Sequence, residues 1–131
     1  MKVGSDLVGT NRISRILKGC AVLEEWKDVE GGEGRSLFYY DRATRRWKQV
    51  WVTSLATSAL GTKEKRLVAR LANGGTRFQG EIPTPSGGVL LDRTTLEPRA
   101  DGSVRQLIET SRDGGTTWQA IFDAIYLRKK G

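Results

Sequence analysis

Short runs of alternating apolar and polar residues follow one another along the chain, separated by glycine or proline about every ten residues. Their β-branched and aromatic side chains favour strands, and helix patterns are sparse. The links are too short to hold crossover helices, so consecutive strands should pair antiparallel as a meander. The pattern predicts about nine strands, at Thr10–Leu17, Ala21–Lys27, Arg35–Asp41, Trp47–Ser54, Arg66–Leu71, Arg77–Ile82, Val89–Leu96, Ser103–Ser111 and Thr116–Arg128.

A meander of this length most simply curls into an up-and-down barrel, because closure removes exposed strand edges. The chain has 131 residues, which is the usual size of one domain. We therefore predict a single all-β barrel domain over residues 1–131. Leu55–Thr62 is ambiguous, since its Ala, Ser and Leu content fits either a helical turn or a loop at one barrel mouth.

The segment Ser111–Trp118 predicts the turn of a β-hairpin. Gly114 and Gly115 permit the positive φ angles of tight turns, and Asp113 can accept hydrogen bonds from backbone amides. The segment resembles the Asp-box of sialidase-type propellers. It occurs once, however, and a propeller blade needs neighbouring blades to bury its faces.

The turn also predicts which side chains face the barrel interior. If Ser111 lies opposite Thr116, then Glu109 lies opposite Trp118, and the large apolar groups of the hairpin gather on one face. We take that face as the interior. It would contain Arg105, Leu107, Glu109, Trp118, Ala120, Phe122 and Tyr126.

An inward Glu109 needs a partner, because burying an unpaired carboxylate is costly. Arg93 is the candidate, since it shares a face with Val89 and Leu91 on its own strand. We predict that Arg93 and Glu109 meet inside the barrel. They would either satisfy one another or leave the planar donors of Arg93 for a polar group of a ligand.

Trp47 and Trp51 share a strand face with Gln49 and Thr53, a mixture that fits a ligand cavity as well as ordinary core packing. With the last hairpin and Arg93, this face supplies the candidate ligand-binding residues. They are Trp47, Gln49, Trp51, Arg93, Glu109, Trp118, Phe122 and Tyr126.

The chain contains no histidine, which excludes His-activated nucleophiles and His-ligated zinc or haem iron. We expect no cofactor and no metal. Glu24 and Glu25 should point to opposite faces of a strand, so they cannot act as a catalytic pair. Cys20 is the single cysteine and is expected to be a small buried thiol.

A lone cysteine excludes an intrachain disulfide, and no apolar run resembles a signal-peptide core or a membrane span. We therefore expect a cytoplasmic location and no membrane partner. The formal net charge is +7, but the charged residues are dispersed, as on an ordinary solvated surface. This pattern argues against a nucleic-acid partner.

Four segments together are similar to a bacterial family of calycin-like barrels of unknown function. The resemblance implies a lipocalin-like antiparallel barrel with a central cavity, and no established reaction or ligand. Leu96 stands where the family commonly has tryptophan, which would enlarge the cavity. The segments are Gly19–Trp26, Gly34–Asp41, Arg46–Val52 and Val104–Trp118.

Members of this family usually begin with a tryptophan-bearing strand before the segment that corresponds to Thr10–Leu17. Here only Met1–Val8 precedes it, so the barrel is expected to be incompletely closed. The N-terminal segment, a loop, or a partner subunit would cover the open edge, the last by β-augmentation to form a homo-oligomer.

The leading functional hypothesis is a binding module for a small apolar or amphipathic molecule, with Arg93 and Glu109 fixing its polar end. The second is a cofactor-independent isomerase, cyclase or lyase that uses Glu109 or Tyr126 for acid–base chemistry. The third is a basic nucleic-acid or protein-interaction barrel, based on the charge and on Phe38, Tyr39 and Tyr40 near basic residues.

Overall fold

The computed structural model describes residues 2–3, 6–54 and 62–128. The strands are β1 (Lys2–Val3), β2 (Asp6–Leu7), β3 (Gly9–Ile16), β4 (Ala21–Asp28), β5 (Glu33–Asp41), β6 (Arg46–Thr53), β7 (Thr62–Arg70), β8 (Thr76–Pro83), β9 (Val89–Pro98), β10 (Val104–Ser111) and β11 (Gln119–Tyr126). The helical content of this part of the chain is one 3₁₀ turn at Leu17–Gly19. The ambiguous segment at Leu55–Thr62 lies outside the described residues except for Thr62, which begins β7.

All the strands belong to one antiparallel sheet with the order β2-β1-β11-β10-β9-β8-β7-β6-β5-β4-β3. From β3 to β11 each strand pairs with the next along the chain, which confirms the predicted all-β meander. Over the described ranges, no helix is both long and apolar enough to cross a membrane.

The sheet curls into a half-barrel that stays open, as expected for an incompletely closed barrel. Its two edges are β2 and β3, and no ladder joins these strands within the described residues. The edges nevertheless approach each other, because only Val8 separates β2 from β3 along the chain. The N-terminal strand β1 extends the sheet beside β11, on the side away from β3, where Lys2 of β1 pairs with Ile125 of β11.

Contacts between strands that are not neighbours identify the concave face, because side chains meet across intervening strands only on that side. Trp26 on β4 packs edge-on against Trp51 on β6, with ring centroids 6.3 Å apart. Phe38 on β5 packs against Phe78 on β8 at 5.5 Å. Following cross-strand pairs from these residues assigns each strand from β3 to β11 a concave and a convex face.

Most of the buried side chains lie on the concave face, and many of them are polar. This composition differs from an ordinary barrel core, which is filled by apolar groups. The buried residues of the concave face are Glu24, Ser36, Gln49, Lys65, Phe78, Ile82, Leu90, Asp92, Thr94 and Ala124.

The register predicted for the last hairpin is wrong. Glu109 pairs with Ala120 instead of Trp118, and Ile108 pairs with Phe122. The register shifts between Ile108 and Glu109, which marks a β-bulge in this pair of strands. The strand begins later than predicted because Trp118 and the residues before it belong to the turn.

Hydrogen bonds to Asp113 explain why the turn takes these residues from the strand. Asp113 Oδ1 accepts from Ser111 Oγ at 2.8 Å and from the Thr117 backbone amide at 2.8 Å. Gly114 and Gly115 have φ angles of 72° and 97°, in the region that favours glycine. The predicted hairpin turn is therefore confirmed. The hydrogen bonds from Thr117, with that from Ser111, lower the pKa of Asp113 to about 2, so its carboxylate is ionised at neutral pH.

Candidate functional site in the trough of the half-barrel

The concave face of the sheet forms a trough with an aromatic wall. Its rings come from five strands, and most of them are half-buried, so they are partly open to solvent. Partly exposed rings on a concave surface are typical of small-molecule sites. The wall consists of Trp26 on β4, Phe38 on β5, Trp47 and Trp51 on β6, Phe78 on β8, and Phe122 and Tyr126 on β11.

Two lysines and one aspartate form an ionic cluster on the same face. Lys63 Nζ lies 2.8 Å from Asp92 Oδ2, and Lys65 Nζ contacts the other carboxylate oxygen. Lys65 Nζ also donates to Thr94 Oγ1 at 2.5 Å. Asp92 is fully buried and Lys65 is 5 % exposed, so two ammonium groups share one carboxylate away from bulk water.

Gly80 allows this cluster to form across an intervening strand. It lies on β8 opposite Asp92, between the lysines of β7 and the aspartate of β9. A Cβ atom at this position would lie 2.1 Å from the Glu64 carbonyl oxygen and 3.3 Å from Lys65 Cγ. Only glycine therefore permits both the close approach of β7 and the path of the lysine side chain over β8.

Burial lowers the pKa of Lys65 from 10.5 to about 8. The attraction of Asp92 opposes this shift, whereas the positive charge of Lys63 adds to it. Lys65 is thus a lysine that titrates close to neutral pH, and its neutral form is accessible under ordinary conditions.

This shift predicts that the free energy of unfolding rises with pH between about 8 and 10. In that window the unfolded chain keeps a proton on Lys65 that the folded protein has released, so raising the pH favours folding. The expected gain is roughly 1–3 kcal/mol. Above pH 10 the raised pKa of Tyr126 acts in the opposite direction, because unfolded tyrosine ionises first.

Urea denaturation at several pH values checks this prediction, with Lys65→Met as the comparison. The variant should lose most of the rise, while contributions from other titrating groups remain in both proteins. If the two proteins show the same slope between pH 8 and 10, Lys65 does not titrate as described.

A second polar group lies beside the aromatic wall near Asn11. Asn11 Nδ2 donates to Glu24 Oε2 at 2.9 Å. Within the described residues, the buried Asn11 Oδ1 and Trp26 Nε1 have no hydrogen-bond partner. Asn11 and Trp26 pair directly across β3 and β4, so one unpaired acceptor and one unpaired donor lie on neighbouring strands of the same face.

Other polar side chains of the trough are paired. Gln49 Nε2 donates to Ser36 Oγ at 2.9 Å, and Tyr126 Oη donates to Gln106 Oε1. Burial, with a smaller effect of the Glu24 charge, raises the pKa of Tyr126 above its usual value. Tyr126 therefore stays neutral and serves as a hydrogen-bond donor.

Five of the predicted ligand-binding residues lie on the concave face, as the sequence indicated. Trp47, Gln49 and Trp51 line it from β6, and Phe122 and Tyr126 line it from β11.

The other three predicted residues lie on the convex face, so their interior placement is wrong. Arg93 and Glu109 do meet, with Arg93 Nε donating to Glu109 Oε1 at 3.0 Å. Arg93 Cζ also lies 3.9 Å from the centroid of the Trp118 ring, a cation–π contact on the outside of the sheet. On β9 the buried face is the one that carries Leu90 and Asp92, whereas the prediction took the other face of this strand as the interior.

Sequence reasoning did not assign the ionic residues of the trough as site residues. The available signal was that Lys63, Lys65 and Leu67 occupy every second position of β7. The neighbouring strand carries a glycine in its middle, Gly80. The prediction of opposite faces for Glu24 and Glu25 is confirmed, since Glu24 is buried in the trough and Glu25 contacts Arg35 outside.

Two further observations concern groups that could carry other chemistry. Cys20 is exposed, so the expectation of a buried thiol is wrong; it follows the 3₁₀ turn at the start of β4 instead of lying within the strand. Among the residues with described positions, no three His, Cys, Asp or Glu side chains are grouped to hold a metal ion.

Comparison of the chain with protein-family profiles, curated protein sequences and solved structures finds no match.

Proposed function

We propose that the trough binds a small amphipathic molecule. The observation that carries this proposal is the presence of half-buried aromatic rings and a buried ionic cluster on one concave face. Ligand sites typically combine an apolar lining with a few polar groups that fix the orientation of the ligand.

The aromatic wall would contact the apolar part of the ligand. Within it Trp26 packs edge-on against Trp51, and Trp51 lies directly over Gly34, where a Cβ atom would come within 2.1 Å of the indole ring. This glycine lets the ring lie flat against β5, which keeps the space above it for a ligand.

The polar end of the ligand would be fixed by the Lys63–Asp92–Lys65 cluster and by the unpaired atoms of Asn11 and Trp26. These groups take the role that the sequence assigned to Arg93 and Glu109. A ligand with one oxygen-bearing group could accept from Trp26 Nε1 and donate to Asn11 Oδ1.

Two alternatives receive less support from the geometry. Glu109 lies outside the trough, and Tyr126 has a raised pKa, so neither is placed for acid–base chemistry near neutral pH. Phe38 and Tyr40 face the trough whereas Tyr39 is on the convex face, so the aromatic run is divided between the two faces of the sheet.

The proposed location remains the cytoplasm, which the exposed thiol of Cys20 supports, because free thiols persist in reducing compartments.

Fluorescence quenching with 2-naphthalenemethanol tests the binding proposal. Three of the four tryptophans line the trough, so the probe should quench emission along a saturable curve. The expected dissociation constant is on the order of 100 µM, or roughly 0.5 kcal/mol per heavy atom of the probe.

Two variants locate the quenched rings. Trp118→Phe removes the tryptophan on the convex face and should keep the quenched fraction, whereas Trp51→Phe should reduce it. Quenching that rises linearly without saturation, or that disappears in Trp118→Phe alone, would contradict binding in the trough.

A further inference from the structure

A buried primary amine at the centre of the trough has a chemical capacity beyond binding. The Lys65 side chain is 3 % exposed, and its Nζ is held between Asp92 and Thr94. We infer that Lys65 is a nucleophilic amine that condenses reversibly with an aldehyde or ketone bound in the trough. This inference rests on the proposed binding function, since the trough must first hold the carbonyl compound.

Charge balance in the cluster favours the neutral amine that such a reaction needs. Asp92 contacts two ammonium groups and can balance one of them. When Lys65 is neutral, Lys63 and Asp92 remain as a one-to-one ion pair. Glu24 also attracts a charge on Lys65, but weakly, and its carboxylate accepts a hydrogen bond from Asn11.

The acidity of Lys65 agrees with this arrangement. With its pKa lowered to about 8, about one molecule in ten carries the neutral amine at pH 7. For an unperturbed lysine the fraction is fewer than about one in a thousand. Desolvated lysines of this kind are the ones that form imines with carbonyl substrates.

The reaction needs no oxidant or metal. The lone pair of Lys65 Nζ attacks the carbonyl carbon and forms the C–N bond, while the carbonyl π electrons move to oxygen. One amine proton passes to that oxygen and gives a carbinolamine. The Lys63 ammonium protonates the hydroxyl, water leaves as the C=N bond forms, and the second amine proton returns to Lys63.

Reductive trapping with 2-naphthaldehyde and sodium cyanoborohydride at pH 7 tests the inference. Peptide mass mapping should find the naphthylmethyl group on Lys65 at least about tenfold more often than on any other lysine. The chain's α-amino group is the expected competitor, because α-amino groups ordinarily have pKa values near 8. It is distinguished by its own peptide.

Variants and competition separate reactivity from misfolding. Lys65→Arg should lose the label, whereas Lys48→Arg, which alters an outer lysine paired with Asp41, should keep it. In the unaltered protein, an excess of 2-naphthalenemethanol should slow labelling of Lys65 but not of the α-amino group, because the alcohol occupies the trough without forming an imine.

The outcomes distinguish this inference from the binding proposal. If the alcohol binds saturably and Lys65 stays unlabelled, the imine inference is overturned and the binding proposal stands. Labelling spread over surface lysines also overturns it. If Lys65 is labelled and the alcohol does not slow the reaction, binding in the trough fails, and with it the inference as stated.

Discussion

Replacing Asp92 with asparagine is expected to lower the free energy of unfolding by about 3 kcal/mol or more at pH 7. The substitution leaves Lys63 and Lys65 side by side on the trough face of β7 without the carboxylate that both contact. Removing one partner of a buried ion pair is costly because the remaining charge stays desolvated. Urea denaturation followed by fluorescence measures the loss.

Asp123→Asn is the matched control, since it makes the same chemical change in an exposed pair. Asp123 accepts from Arg105 at 2.9 Å on the convex face and is 47 % exposed. Its loss should stay below about 1 kcal/mol. Adding Lys65→Met to Asp92→Asn should restore part of the stability. An Asp92→Asn protein as stable as Asp123→Asn would show that the cluster is not buried as described.

Replacing Gly80 with alanine should destabilise the protein by at least about 2 kcal/mol, because the new methyl group meets backbone and not a movable side chain. Its Cβ would lie 2.1 Å from the Glu64 carbonyl oxygen, so β7 and β8 must separate. That movement also draws Lys65 away from Asp92. The rise of stability between pH 8 and 10 should therefore change together with the midpoint of unfolding.

Gly88→Ala provides the comparison at a glycine where space is less restricted. The nearest atom to a Cβ there is Thr84 Oγ1 at 3.3 Å, in the exposed turn between β8 and β9. Its effect should remain within about 1 kcal/mol. Equal losses in the two alanine variants would mean that the close approach at Gly80 does not limit packing.

The comparison of sequence with structure is most informative for the last hairpin. Ser111 and Asp113 correctly predicted the turn, because turn chemistry depends on a few adjacent residues. The partner of Glu109 across β11 was wrong, since the turn extends through Trp118. The bulge beyond Glu109 then places Phe122 on the face opposite to Glu109. Neither the added turn residues nor the bulge has a local signal in the alternation of side chains.

The same distinction explains which site residues were found. The face of β6 that carries Trp47 and Trp51 was correctly grouped, because residues two apart on a regular strand share a face. For β9 the two alternate sets, with Leu90 and Asp92 or with Leu91 and Arg93, are equally mixed in polarity. The choice between them depends on contacts with β7. The hydrogen bond between Lys65 and Thr94, for example, joins residues that are 29 positions apart in the sequence.

The sequence by itself determined the class and order of the elements, since alternation and hairpin turns are local properties. Only the tertiary structure decided which face of each strand is concave, how far the sheet curls, and that two lysines meet one aspartate across Gly80. The physical reason is the period of two along a strand: one bulged residue, as between Leu67 and Ala69, exchanges the faces of every residue beyond it. Pairing across the whole sheet is then what assigns the charged side chains to its interior.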